Sequence, residues 1–110
     1  MKLAVIGSRK LTNAAIDRHI PKGVTEIVSG GAVGVDACAA QYAKSRTLKL
    51  CEFLPQYERY GRAAPIVRNK EIVDYADRIL VFWDGKSGGT LSVIKYAKKV
   101  GKPCEVILCE

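Results

Sequence analysis

A chain of 110 residues, 48% of them hydrophobic, is long enough for one domain spanning 1–110 with an ordinary core, and too apolar for intrinsic disorder. No apolar run reaches membrane-spanning length, and the N-terminus enters Leu3-Ala4-Val5-Ile6 with no signal-peptide pattern, so a cytosolic protein without a membrane partner is expected. The formal charge of +7 suits an anionic partner, nucleic acid or a small phosphate, although a solvated basic face would carry it equally well.

Cys38, Cys51, Cys104 and Cys109 each sit in an apolar pattern, and no pair has C-x-x-C spacing. Buried thiols are expected, with no disulfide, zinc site or redox site. His19, the sole histidine, has no neighbouring nucleophile and reads as a surface helix residue. No Ser-His-Asp or Cys-His set can be assembled.

In chain order, Lys2–Ile6 is a continuous apolar run, a first strand buried on both faces. Gly7-Ser8-Arg9 follows it. Thr12 or Asn13 caps a first helix running to about Ile20, stopped by Pro21 and Gly23. Thr25–Ser29 is the second strand, ending in the loop Ser29-Gly30-Gly31-Ala32-Val33-Gly34. The second helix spans about 33–44, with Val35, Cys38, Ala39, Tyr42 and Ala43 as its buried stripe. Leu48–Phe53 is the third strand and Leu54–Arg62 a loop. The third helix covers about 63–75, with Pro65 in its first turn. Ile79–Trp83 is the fourth strand, and Asp84–Gly89 a second glycine-bearing loop. The fourth helix starts near Thr90, has Leu91, Ile94, Ala97 and Lys98 on its inner side with the lysine at the rim, and ends at Gly101. Glu105–Cys109 is the fifth strand.

This alternation predicts an α/β fold, a Rossmann-like doubly wound parallel five-stranded sheet of order 3-2-1-4-5. Ligands of such sheets bind beyond the C-terminal strand ends at the switch point, here between the first and fourth strands. Three loops meet there: Gly7-Ser8-Arg9, Ser29 to Asp36, and Asp84 to Thr90. Helix starts after Gly34 and Gly89 offer N–H groups and positive dipole ends to an anion, and Gly30, Gly31 and Gly34 let it come close.

Familiar phosphate patterns are missing. Gly30, Gly31 and Gly34 do not form G-x-G-x-x-G, and Gly85-Lys86-Ser87 lacks the P-loop's earlier glycine, its place taken by Leu80. No NAD, Walker-type ATP or other cofactor is expected, and no metal. Arg68 and Asn69 extend the inward stripe of Ile72, Val73 and Ala76, so they either point into the crevice or pair with a carboxylate or loop carbonyls. Arg9 can hold a phosphate or stand on the surface, and Thr90 can cap its helix and meet a phosphate. Asp36 either accepts N–H groups of its own loop or takes a ribose hydroxyl, and Asp84 carries the same pair of readings. Trp83 either stacks a base or is a half-buried aromatic.

These loops resemble the SLOG superfamily, which includes the Lonely-Guy phosphoribohydrolases and the DprA Rossmann-like domain; the resemblance covers nearly the whole chain. Val28 to Asp36 is similar to the S-G-x-A-x-G-[IV]-D segment of DprA. Arg68-Asn69-Lys70-Glu71, Asp77 and Gly89-Thr90 run like the Lonely-Guy stretch R-K-x-E, D and G-G-x-G-T-x-x-E. The chain looks closest to small stand-alone YspA-like SLOG proteins, which implies a nucleotide-derived ligand and a homodimer or higher homo-oligomer. In the Lonely-Guy enzymes the arginine and the last glutamate serve catalysis. Arg68 matches the first, but the glutamate position is Val93, leaving Glu71 or Asp84 as substitutes. The histidine usual in the second helix of DprA is Ala40.

The expected function is a domain that binds a nucleotide or nucleotide-derived ligand as sensor or carrier. Its phosphate would lie on the Gly30–Gly34 loop and the fourth helix start, clamped by Arg9 and Arg68. A nucleoside-monophosphate N-glycosidic hydrolase is the alternative, with Arg68 and Glu71 or Asp84 in the active site. A single-stranded nucleic-acid-binding module is a second alternative.

Overall fold

In the computed structural model, which describes residues 1–11 and 15–109, β1 (Lys2–Gly7) is the middle strand of a five-stranded sheet. The other strands are β2 (Glu26–Ser29), β3 (Lys49–Glu52), β4 (Arg78–Trp83) and β5 (Cys104–Leu108). All four pairings are parallel, in the order β3-β2-β1-β4-β5. This is the expected fold class and strand order.

Successive residues of a strand face opposite sides, so β1 feeds two cores at once. Leu3 and Val5 join Ile27, Leu80 and Phe82 on one face, covered by α1 (Val35–Ser45) through Val35, Ala39 and Ala43. Ala4 and Ile6 join Val28, Ile79 and Val81 on the other, covered by α3 (Ala64–Tyr75) and α4 (Gly88–Val100). The edge strands β3 and β5 are half-exposed, whereas β1 and β4 are buried over most of their length.

Three local readings change. Where a first helix is expected, the described residues 15–20 hold a 3-10 turn over Ile16–Arg18; the proposed caps Thr12 and Asn13 lie outside the described residues. This one turn, bounded by Pro21, is enough to bury Ile16. The expected 54–62 loop contains α2 (Tyr57–Tyr60) and a 3-10 turn, Gly61–Ala63, running directly into α3. The buried stripe of α4 is Thr90, Val93 and Ala97; Lys98 is exposed, and Leu91 and Ile94 are half-buried. Starting two residues earlier than expected, α4 gains the open Gly88-Gly89 pair, while Val93 faces the sheet among Ile6, Val28 and Ile72.

His19 is half-buried, its ring edge-on to Phe82 at 5.6 Å. The four cysteines are half-buried rather than fully so, and among the described residues no disulfide joins them. Two lie on the edge strands, where one face is only partly covered. Among the described residues no helix is long and apolar enough to cross a membrane, and no cluster of three or more metal-ligating side chains occurs.

The seat of α1 depends on Gly7. A Cβ there would stand 2.5 Å from Val35 Cγ2 and 2.6 Å from the Phe82 carbonyl oxygen. The second atom is backbone of the neighbouring strand and cannot swing away. Gly7→Ala is therefore expected to cost ~1–3 kcal/mol, the range of an overpacked core, measured by urea denaturation. An unchanged midpoint would show that α1 does not bear on the end of β1.

Candidate ligand-binding site

Beyond the C-terminal ends of β1 and β4 lies a cavity of about 340 Å³, within the range of small-molecule sites. Gly7 and Arg9 line it after β1, and Gly30, Gly31, Ala32 and Asp36 after β2. α3 contributes Pro65, Arg68, Asn69 and Ile72, and the α4 start contributes Ser87, Gly89 and Thr90.

Arg68 is the strut of this site. Its Nη1 donates to the Gly30 carbonyl at 2.7 Å and to the Phe53 carbonyl at 3.4 Å, and its Nε donates to Asn69 Oδ1 at 2.8 Å. Of the two readings open in the sequence, the guanidinium takes both: it lines the cavity and binds loop carbonyls. Gly30 makes this possible, since a Cβ there would stand 2.5 Å from Nη1 and 2.9 Å from Asp36 Oδ2.

The glycine loop is closed on itself. The Gly31 N–H donates to Ser29 Oγ at 3.4 Å and the Ala32 N–H to Asp36 Oδ2 at 3.2 Å. Asp36 thus takes the loop-orienting role. Burial pushes its carboxyl above the ordinary aspartate value of 3.8, opposed by the Ala32 N–H and the Arg68 guanidinium, and Oδ1 is buried without a hydrogen-bond partner. Ser29 is fully buried beneath the loop.

Gly34 serves the fold rather than the cavity. Its φ is 76°, and a Cβ there would collide with the Arg9 and Ser8 carbonyl oxygens. It admits the backbone after β1, and it does not line the cavity. Ser8 is buried, and its Oγ accepts the Asp84 N–H at 3.3 Å, tying the β1 loop to the β4 loop.

After β4, Asp84 Oδ1 accepts the N–H groups of Ser87 at 2.8 Å and Lys86 at 2.9 Å. These bonds hold its carboxyl below the usual carboxylate range. Trp83 is half-buried, and its Nε1 donates to the Ser87 carbonyl at 3.0 Å, bracing the same turn. Gly85, at φ 80°, closes that turn beside Leu108. Trp83, Asp84 and Gly85 do not line the cavity.

The N-terminus of α4 is the open end. Ser87 makes no side-chain capping bond there, and a Cβ on Gly88 or Gly89 would meet nothing within 4 Å. Glu71 is exposed on α3 outside the cavity, and Val93 is in the core. Of the candidate carboxylates, only Asp36 reaches the cavity wall.

Sequence reasoning missed Leu54, Pro55 and Tyr57, which wall the cavity on the β3 side. The strand-end rule applied to the other loops covers them too, but β3 stands two strands from the switch point. The α2 turn brings this segment back towards α3. No protein-family model, curated protein or solved structure matches the chain.

Arg68→Met removes the charge-assisted bonds to two strand-end carbonyls and leaves Asp36 without its cation. At pH 7 a loss of ~2 kcal/mol is expected. The folded-state pKa of Asp36 is already above its unfolded value and rises further in the variant, so its ionised form penalises folding. That penalty is full above the folded pKa and disappears as pH falls towards 3.8. The deficit relative to wild type is therefore expected to shrink between pH 7 and pH ~4.5, read by urea denaturation at each pH. A deficit that stays constant or grows would exclude the Asp36 coupling.

Proposed function

We propose that this chain is a SLOG-type domain that binds a nucleotide or nucleotide-derived ligand as sensor or carrier. One observation carries the reading: a cavity at the switch point combines the uncapped start of a thirteen-residue helix with Arg9 and Arg68. Free N–H groups and a positive dipole end suit a phosphate. In this reading the glycine loop shapes the cavity wall, since its Gly31 and Ala32 N–H groups already have acceptors. The Ser87 N–H is likewise taken by Asp84, so the phosphate belongs at the N–H groups of Gly89 and Thr90 with Arg9, and the apolar wall of Leu54, Pro55, Pro65 and Ile72 suits the less polar part of the ligand.

The sensor or carrier reading is preferred to the hydrolase because glycosidic cleavage calls for a carboxylate at the reacting sugar. Glu71 is outside the cavity, Asp84 is held by its own turn, and Asp36 is held by the glycine loop.

Nucleoside monophosphates are expected to raise the melting midpoint and free nucleosides to do so much less. At about a hundredfold excess over Kd the stabilisation is ~2.7 kcal/mol, roughly ten degrees for a domain of this size. Arg9 is exposed, so Arg9→Ala leaves the unliganded midpoint in place and is expected to weaken binding about tenfold. Equal shifts for nucleoside and nucleotide would remove the phosphate from this site.

A further inference from the structure

A second cavity, also about 340 Å³, opens beside the first. It is lined by Ser8, Arg9, Lys10, Asp84, Lys86 and Ser87. Arg9 and Ser87 also line the first cavity, so they form a wall common to both. Three cations face this space against one carboxylate, and Asp84 already accepts two backbone N–H groups. The turn it fixes sets Lys86 and Ser87 at the mouth. The second cavity therefore keeps an excess of positive charge even after Asp84 offsets one of its three cations.

We propose that the ligand extends from the first cavity past Arg9 and Ser87, and that a further phosphate occupies the second cavity between Lys10 and Lys86. The ligand is then a nucleoside di- or triphosphate, or a nucleotide bearing a comparable pyrophosphate, rather than a monophosphate. This rests on the nucleotide reading above and sharpens it. A terminal phosphate group carries more charge than a bridging phosphodiester, and compact cations at the end of a cavity favour it. Arg9 spans the junction, where one guanidinium can bond two successive phosphates.

The experiment measures affinity by thermal shift and calorimetry for the mono-, di- and triphosphates of adenosine, guanosine, cytidine and uridine. A short oligothymidylate is included, and wild type is compared with the Lys10→Gln/Lys86→Gln double variant. Both lysines are exposed, so the variant's unliganded midpoint should match wild type. For at least one base, the diphosphate is expected to bind wild type about tenfold tighter than the monophosphate. In the double variant that advantage should fall to within about threefold while monophosphate affinity holds. Equal wild-type affinity for mono- and diphosphate overturns the extended ligand but leaves the nucleotide site standing. So does a double variant that keeps the diphosphate advantage or loses both ligands alike. Binding by no nucleotide overturns both readings. Oligothymidylate binding tighter than any diphosphate, with a steep salt dependence lost in the variant, overturns the proposal in favour of a nucleic-acid surface.

Discussion

The bond from Arg68 to the Gly30 carbonyl determines the shape of the cavity. It joins α3 to the end of β2, and the weaker bond to Phe53 adds the end of β3. The helix carrying it is anchored one turn later by Ile72 and Val73, both fully buried. A long cationic side chain is held against a loop whose carbonyl it neutralises and whose N–H groups Ser29 and Asp36 neutralise. The loop thus has partners for both polarities of its backbone. Glycine at position 30 is needed because the guanidinium occupies the space a side chain would take.

Asp36 and Asp84 share one habit. Asp36 accepts from its own loop, and Asp84 accepts from its own turn. Their charge shapes backbone and leaves Arg9, Lys10 and Lys86 without carboxylate partners among the linings of the two cavities. The overall charge of +7 is therefore unevenly felt, with a local excess at the sheet edge where two strand-end loops converge. Such an edge raises the local concentration of any anion that approaches it.

Strand order was legible because buried parallel strands give continuous apolar runs, and the segments between them are long enough for crossovers. The stripe of α1 was legible for the same reason: Val35, Ala39 and Ala43 repeat at helical spacing and are buried. The rest depended on partners that the sequence does not display. Gly34 reads as a ligand-contact glycine until the Ser8–Arg9 backbone is found against it. Val93 reads as a lost glutamate position, and the fold makes it a core residue in one cluster with Ile6 and Ile72. The α4 stripe was misjudged because two glycines, poor helix formers, open the helix; its true phase follows from burying Thr90 and Val93. The part of the cavity wall that follows β3 became visible only once α2 was seen to turn the chain back.

The pairing of β1 with β4 has a kinetic side. Residue Leu3 lies opposite Arg78, so most of the chain must be threaded between them before this ladder closes. No hairpin in the sheet provides a local start, and loop-closure entropy must be overcome before the central contacts return anything. Gly7, Arg9 and the start of α4 are brought together by this one long-range pairing. The cavity consequently needs both halves of the chain in place. Anything bound there would meet only the finished domain, and would act on the rate of unfolding rather than on the rate of assembly.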